Sequence, residues 1–192
     1  MAAPLAGAGE GPSPCGRVGV GSRGHARGVA GALAGRALPR LALEMSTGEV
    51  VWLQGECDLG RVIYLFPGGP WSPDGGSGSG LGDVAQHRAF ERHREDLLAY
   101  CLTAVGVSSQ PARVLEASRV EHRVGHELWS DPGLSLADAV GLPTFIWAGV
   151  RWYRRLVMVV RGGRVEKAFF PVASPQRSGA QVLWWLKLTG GR

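Results

Sequence analysis

One apolar run constrains the fold of this chain more than any other feature. Five consecutive aliphatic or aromatic residues, Val62-Ile63-Tyr64-Leu65-Phe66, end at Pro67. A strand with one face in water alternates apolar and polar residues, and this run has no such alternation. It therefore predicts a strand that is buried on both faces, as in sheets that helices cover on both sides. We expect this strand to lie at the centre of a sheet.

The remaining pattern predicts an α/β fold with a central mixed sheet flanked by helices. A Gly- and Ser-rich loop, 68–82, follows the apolar run, and a helix with one apolar stripe follows the loop. The predicted elements are an N-terminal hairpin (38–53), strands 62–66, 103–107, 128–129, 143–147, 153–160 and 165–172, and helices 83–101, 110–123, 134–140 and 175–188.

The first thirty residues have a composition unlike that of the rest of the chain. They are almost wholly Gly, Ala, Ser, Pro and Arg, with few larger aliphatic side chains. Such a segment cannot bury enough apolar surface to offset its ordering entropy. We predict a disordered tail over 1–32 and one domain over 33–192, because 192 residues are too few for two domains of ordinary size.

Charge and cysteine content narrow the possible partners. The net charge is +5, but Arg and Glu are interspersed in the domain, which argues against a nucleic-acid partner. No apolar run has the length of a membrane span, so we expect a cytoplasmic protein with no membrane partner. The three cysteines include no CxxC pair, and the histidines have no metal-ligand spacing. We therefore predict a reducing compartment, no metal and no cofactor.

The expected site lies at the start of the predicted helix 83–101. In open α/β sheets, ligands bind where a central strand leads into its helix, here at the loop 68–82 and Asp83. Asp83 occupies a predicted N-cap, and Gln86 follows three residues later as in a capping box. Asp83 and His87 are four residues apart and therefore share one face of the helix.

Six segments of the sequence together form a pattern that is more specific than any one of them. They are Val62 to Pro67, Gly106 to Gln110, Leu128 to Pro132, Gly141 to Phe145, Tyr153 to Leu156 and Phe169 to Val172. These segments resemble peroxiredoxins, most closely the bacterioferritin-comigratory (Q-type) and alkyl hydroperoxide reductase/thiol-specific antioxidant branch. Their order and spacing match over about residues 33–188, and the resemblance implies a thioredoxin-like fold.

The resemblance also implies that both catalytic thiols are missing. In the family the peroxidatic cysteine begins the helix that follows the first core strand. When Phe90 is placed on the family's Phe, Gly82 takes the position of the Gly and Asp83 that of the peroxidatic cysteine. Arg88 then takes the position of the resolving cysteine. Because a carboxylate cannot be oxidised to a sulfenic acid and be resolved by a thiol, we expect no peroxide reduction there.

Arg155 keeps the position of the family's arginine, which points at the reactive sulfur. The resemblance therefore implies a charge-assisted pair between Arg155 and Asp83. Two interpretations stay open: an acid–base site, or an Asp83 that only caps the helix beside a solvated His87. The first interpretation assigns catalytic roles to Asp83, His87 and Arg155, and substrate binding to Pro67, Trp71, Gly82 and Gln86.

We expect a repurposed protein, monomeric or homodimeric, that binds a small-molecule substrate or acts on it in a biosynthetic pathway without cysteine chemistry. Asp83→Asn and Arg155→Met are expected to abolish conversion and leave stability nearly intact. One alternative is a thiol peroxidase acting through Cys57 or Cys101, both of which we expect to be small buried hydrophobes. The other is a catalytically inactive partner of an active peroxiredoxin.

Overall fold

Strands and helices follow one another in the order that the sequence predicts, apart from an additional first helix and two predicted elements that are each divided. The computed structural model describes residues 23–54, 59–68 and 81–191. The elements are α1 (Arg23–Leu33), β1 (Ala42–Met45), β2 (Val50–Trp52), β3 (Gly60–Leu65), α2 (Leu81–Arg92), α3 (Arg94–Ala99), β4 (Leu102–Ser108), α4 (Ala112–His122), β5 (Glu127–Ser130), α5 (Ser135–Val140), β6 (Thr144–Trp147), β7 (Val150–Tyr153), β8 (Leu156–Arg161), β9 (Arg164–Phe169), a 3₁₀ turn (Pro175–Arg177) and α6 (Ser178–Thr189).

The main sheet is mixed, and its strand order is β2-β1-β5-β4-β3-β8-β9. Strands β3, β4 and β5 run parallel, while β8 pairs antiparallel with β3 and β9 pairs antiparallel with β8. The apolar run thus lies inside the sheet, where Tyr64 is opposite Gly106 of β4 and Val157 of β8. The predicted α/β class and the central position of this strand are confirmed.

Helices cover both faces of β3, which explains why the strand lacks alternation. Ile63 and Leu65 join a core that includes residues of α1 and α5. Val62, Tyr64 and Phe66 join a second core with residues of α2, α4 and α6. Because successive side chains of a strand point to opposite faces, each face of β3 needs its own apolar set.

Helix α1 differs from the predicted tail. It covers Arg23–Leu33, and Leu33 is buried in the first core, where the partly buried Val29 and Ala30 pack beside it. The composition of the segment obscured this helical spacing of three apolar residues. Residues 1–22 lie outside the described residues, so their disorder stays a prediction.

The predicted helix 83–101 is two helices. Helix α2 begins at Leu81, two residues earlier than predicted, and ends at Arg92. His93 interrupts the helical path with φ −108° and ψ 18°, and α3 follows from Arg94 to Ala99. The apolar stripe continues through the interruption, because both Phe90 and Leu97 are buried in the second core.

The predicted strand 153–160 is also divided. Strands β6 and β7 form a separate antiparallel hairpin in which Thr144 pairs with Tyr153. Strand β8 begins at Leu156 and returns to the main sheet beside β3. The buried Tyr153 hydroxyl donates to Asp131 over 2.5 Å, which holds the end of the hairpin against the segment after β5. Arg155 lies in the short connection between the two sheets.

Helix α6 closes the second core and packs on α2. Val182, Leu183 and Leu186 are buried as predicted, whereas Trp185 is only partly buried. Gly179 lies so close to α2 that a Cβ atom there would be 2.5 Å from the Ala89 carbonyl oxygen. No described helix combines the length and the apolar character that crossing a membrane requires.

Candidate functional site

The structure brings Asp83, Gln86 and Arg155 into direct contact. Asp83 and Gln86 come from the first two turns of α2, which follow the carboxyl end of β3. Arg155 comes from the connection before β8, which pairs with β3. Because the carboxyl end of β3 leads towards α2 and also pairs with the start of β8, where Leu65 is opposite Leu156, the three side chains meet at this end of the strand.

Asp83 pairs with Arg155 rather than capping the helix. The prediction of Asp83 as the N-cap is wrong, because α2 begins two residues earlier and Asp83 is its third residue. Its Oδ1 lies 2.5 Å from Nη2 of Arg155, and its Oδ2 accepts a hydrogen bond from the backbone N–H of Gly68 over 3.1 Å. Both side chains are buried. Asp83 therefore joins the start of α2 to the loop after β3 and to Arg155.

Gln86 is the third member of this cluster. Its Oε1 accepts a hydrogen bond from Nη1 of Arg155 over 3.1 Å, so it does not act in the predicted capping box. Its Nε2 is buried and has no hydrogen-bond partner among the described residues. A buried donor without an acceptor is costly, and it is therefore a position that an acceptor oxygen of a ligand could use.

Gly82 allows the guanidinium of Arg155 to reach this position. A Cβ atom on Gly82 would lie 2.7 Å from Nη2 of Arg155, closer than van der Waals contact. Only a residue without a side chain permits this approach. The predicted substrate-binding role of Gly82 stays a prediction, and the structure gives this glycine a steric role beside Arg155.

Burial and neighbouring groups shift the pKa of Asp83 in opposite directions. Burial raises the pKa of Asp83, while the Arg155 guanidinium and the Gly68 N–H act to lower it, and the net direction is upward. Desolvation disfavours a carboxylate unless partners offset it. Asp83 is thus a buried carboxyl that holds a proton more readily than an exposed aspartate, beside a permanent positive charge.

His87 lies one helical turn from Asp83 but has other partners. It is only 1% exposed, so the solvated His87 of the second interpretation is wrong. Its Nδ1 is 2.6 Å from the Tyr64 hydroxyl, and no hydrogen bond between Asp83 and His87 occurs in the described part of the chain. Burial, reinforced by the charges of His126, His122 and Arg155, lowers the pKa of His87 to about 3. His87 is therefore a neutral imidazole near neutral pH.

Three residues that were not predicted from the sequence, Tyr64, His126 and Glu91, continue a series of hydrogen bonds from His87. The Tyr64 hydroxyl is also 2.6 Å from Nε2 of His126, whose Nδ1 is 3.0 Å from Oε2 of Glu91. Glu91 could have been found, because it follows Asp83 and His87 at a spacing of four on the same helix. Tyr64 carries the one polar side-chain atom of the apolar run. His126 precedes β5 and had no local signal.

Other predicted residues lie elsewhere or outside the described residues. Pro67 is buried, and its carbonyl oxygen accepts a hydrogen bond from Ser108 Oγ over 3.4 Å. Trp71 and Cys57 fall outside the described ranges. Cys101 is exposed, which corrects the prediction of a buried hydrophobe: it occupies the turn after α3 with φ 53°. Within the described residues, no group of three or more His, Cys, Asp and Glu side chains could hold a metal ion.

The comparisons with known proteins concern the fold. No protein-family model and no curated protein sequence matches this chain. Among solved structures, peroxidoxin BcpB from Mycobacterium tuberculosis is similar with a TM-score of 0.68 and 18% identity, covering 81% of this chain and 96% of that chain. The bacterioferritin comigratory protein of Xanthomonas campestris is similar with a TM-score of 0.66 and 20% identity, covering 82% and 100%.

A third similar structure is reduced Prx3 of Vibrio vulnificus in complex with H₂O₂, with a TM-score of 0.65 and 20% identity, covering 83% of this chain and 98% of that chain. The three proteins agree with the resemblance in the sequence, and each is covered almost completely. This chain therefore has the peroxiredoxin-like thioredoxin fold of the Q-type, or bacterioferritin comigratory, proteins.

Proposed function

We propose that this chain binds a small carbonyl or carboxylate compound at Asp83, Gln86 and Arg155 and acts on it by acid–base chemistry. The observation that carries the proposal is the buried ion pair of Asp83 and Arg155. Asp83 supplies a carboxyl group that can accept or donate a proton, and Arg155 supplies a fixed positive charge. Such a pair is costly to bury, and ionisable groups with a shifted pKa, as Asp83 has, cluster at functional sites.

The three side chains have complementary chemical roles in this proposal. Arg155 and the unpartnered Nε2 of Gln86 are donors for an oxygen that carries or develops negative charge. Asp83, once displaced from Arg155 by such an oxygen, takes a proton from the bound compound or returns one to it. A compound with a carbonyl or carboxylate oxygen next to an acidic C–H or O–H group satisfies both requirements.

The proposal separates this chain from the peroxide chemistry of its structural neighbours. The resemblance places Asp83 where those proteins carry the reactive thiol. Cys101 does not offer a substitute, because its carbonyl accepts a hydrogen bond from Gly60 at the amino end of β3, whereas Asp83 lies beyond the carboxyl end. Six strand residues at about 3.3 Å each separate the two ends by roughly 20 Å.

Peroxide consumption tests the negative part of the proposal. Wild type and a Cys57→Ser/Cys101→Ser variant are compared with H₂O₂ and a thiol reductant, and both are expected to consume peroxide at the same low rate. Rapid turnover by wild type that the double variant loses would show thiol peroxidase activity and would refute the proposal.

A gain-of-function variant tests the position of Asp83. If Asp83 occupies the place of the peroxidatic thiol, Asp83→Cys is expected to form a sulfenic acid with H₂O₂, because Arg155 and the start of α2 favour a thiolate there. Ala85→Cys, partly buried two residues further along α2, is the matched control. Mass spectrometry after trapping of the sulfenic acid measures both variants. Equal oxidation of the two thiols would contradict the placement.

Ligand binding tests the positive part. Acetate, pyruvate and benzoate represent the proposed compound class, and thermal unfolding measures their effect on wild type and on Asp83→Leu/Arg155→Met, which removes both charges together. At least one compound is expected to raise the Tm of wild type and not that of the double variant. Equal shifts in both proteins would place binding elsewhere.

A further inference from the structure

A continuous chain of hydrogen bonds leads from the surface to the interior beside the candidate site. It runs from Glu91 through Nδ1 of His126 (3.0 Å), from Nε2 of His126 to the Tyr64 hydroxyl (2.6 Å) and from there to Nδ1 of His87 (2.6 Å). The Glu91 side chain is 32% exposed, whereas His87 and Tyr64 are buried. One end of the chain therefore meets solvent and the other does not.

The chemistry of the outer end sets the position of every proton in the chain. Burial opposes ionisation of Glu91, but the Gly125 N–H and His126 together hold its pKa below the usual value, so it is a carboxylate that only accepts. His126 Nδ1 must then donate. Because burial lowers the pKa of His126, its Nε2 carries a lone pair and accepts from the Tyr64 O–H. Tyr64 has one proton, so its oxygen accepts from Nδ1–H of His87.

The inner end of the chain is a free base beside the candidate site. With its proton on Nδ1, neutral His87 carries a lone pair on Nε2. Asp83, His87 and Glu91 follow one another at a spacing of four on α2, so they form one stripe along the helix. His87 is thus one turn from Asp83 and one turn from Glu91.

Aromatic rings surround the inner half of the chain. The Phe66 ring packs edge-on against His87 with centroids 4.7 Å apart, and the Phe90 ring stacks on Tyr64 at 4.6 Å. Arg155 and His122 are the further charged or titratable groups whose charges act on His87. The rings are apolar and cannot carry a proton. On the Tyr64 side of His87, the chain of hydrogen bonds is therefore the route that a proton can take.

The outer half of the chain lies towards the amino ends of the parallel strands, whereas Asp83 lies beyond the carboxyl end of β3. His126 lines a pocket of about 430 Å³ together with Gly125, Arg94 and residues at the amino ends of β3 and β4. Parallel β3 and β4 carry their carboxyl ends towards the candidate site. A proton that travels along the chain from His87 to Glu91 therefore moves away from the candidate site and towards the amino ends of these strands.

We propose that Glu91, His126, Tyr64 and His87 form a proton relay that serves the candidate site. In the relay, His87 Nε2 takes the proton from the bound compound and Asp83 has the other role proposed for it, the return of a proton. Nδ1–H of His87 then passes its proton to Tyr64, Tyr64 passes its own to His126 Nε2, and His126 passes its Nδ1 proton to Glu91, which releases it to solvent. One proton leaves the site and one reaches solvent. The reverse sequence restores the starting tautomers. This role rests on the proposed function, which supplies the compound that gives up the proton.

Nitrogen-15 NMR of the histidine rings tests the relay without a substrate. Both His87 and His126 are expected to show the tautomer with the proton on Nδ1. The relay further predicts that the His87 ring proton exchanges with solvent rapidly although the side chain is buried. Tyr64→Phe and Glu91→Gln interrupt the relay and are expected to slow this exchange. Glu95→Gln, exposed on α3 and outside the chain of hydrogen bonds, is the matched control and keeps it.

A purely structural network predicts the opposite change, because removal of a hydrogen-bond partner loosens His87 and speeds exchange. Exchange in Tyr64→Phe or Glu91→Gln as fast as in wild type, or a His87 proton on Nε2, would overturn the relay. If Tyr64→Phe does not fold, Glu91→Gln still provides the test, because Glu91 is partly exposed and its substitution is expected to leave the fold intact. The same measurement on Asp83→Leu/Arg155→Met is expected to retain fast exchange, so failure of the relay and failure of the proposed site give different results.

Discussion

At the residue scale, the Asp83–Arg155 pair is proposed to act on a bound compound and also contributes to the stability of the fold. Removal of one partner of a buried ion pair leaves an uncompensated charge, which costs about 3–5 kcal/mol. The expectation that Asp83→Asn and Arg155→Met leave stability nearly intact is therefore incompatible with the burial of both side chains. The two variants are also unequal, because a lone carboxyl can take up a proton whereas a guanidinium stays charged.

We predict that Asp83→Asn lowers the free energy of unfolding by about 3–5 kcal/mol, and Arg155→Met by less. Asp83→Leu/Arg155→Met is expected to recover most of the loss, because it leaves no unpaired charge. Denaturation in urea measures the free energy of unfolding of wild type and of the three variants. Asp138→Asn breaks the exposed pair with Arg151 (2.7 Å) and is the control, with an expected cost that is small beside that of Asp83→Asn because solvent screens the exposed pair. An Asp83→Asn cost as small as that of the control would show that the buried pair is unimportant.

Gly82→Ala is expected to displace the Arg155 guanidinium, because the new Cβ would lie 2.7 Å from Nη2. Alanine stabilises a helix by about 0.5–1 kcal/mol relative to glycine, so a net loss of stability identifies the contact. Gly31→Ala in α1 is the control, since a Cβ there meets nothing within 4 Å and only the gain should be seen. Equal gains at both positions would contradict the steric role of Gly82.

At the element scale, α2 carries most of the candidate site and α6 holds it in place. The two helices approach each other closely at Gly179, where a Cβ atom would lie 2.5 Å from the backbone oxygen of Ala89. Because the contact is with backbone, side-chain rotation cannot relieve it. The register of α2 against the sheet, and with it the positions of Asp83 and His87, depends on this small residue in α6.

Gly179→Ala is predicted to lower stability by about 1–3 kcal/mol, since it forces apart α2 and α6 in a packed core. Urea denaturation gives the magnitude, and the His87 and His126 ring signals in NMR spectra are expected to move as α2 shifts. Leu188→Ala, exposed on α6, is the control and should change stability by less than about 0.5 kcal/mol. A Gly179→Ala variant as stable as wild type would mean that the helices part without cost.

At the scale of the whole molecule, the buried histidines couple folding to pH. Their pKa values are lowered in the folded protein, for His87 to about 3, so below about pH 6.5 the unfolded chain binds more protons than the folded one. The stability they contribute is present at neutral pH and is lost as pH falls. Asp83, whose pKa is raised, acts in the opposite sense.

We predict that the free energy of unfolding falls between pH 6.5 and pH 5 by up to about 1.4 kcal/mol per pH unit on account of His87, and that His126, whose pKa is also lowered, adds to this fall. Asp83→Leu/Arg155→Met is the background for the measurement, because it removes the opposing carboxyl. In that background His87→Gln is expected to reduce the slope by about one proton. A stability that stays constant from pH 7 to pH 5 would contradict the neutral state of the buried imidazoles.

Much of the fold and part of the candidate site could be predicted before the structure. The run Val62–Phe66 was correctly placed inside a mixed sheet because burial on both faces leaves a direct trace in composition. The helix over 83–101 was only partly right, since the apolar stripe continues while the backbone turns at His93. Arg155 was expected to face Asp83 from the resemblance, whereas the partners of His87 had no counterpart there.

The amino-acid sequence by itself determined the order of the elements, the central strand and the presence of Asp83, Gln86 and His87 on the first turns of one helix. Those features depend on neighbours within a few residues, where hydrophobic periodicity and capping preferences act. Only the tertiary structure decided that Arg155 reaches Gln86 across 69 residues and that Tyr64 joins His87 to His126 across 23 and 62 residues. The physical reason is that a buried polar atom must find a partner in space, and the partner's distance along the chain leaves no periodic signal.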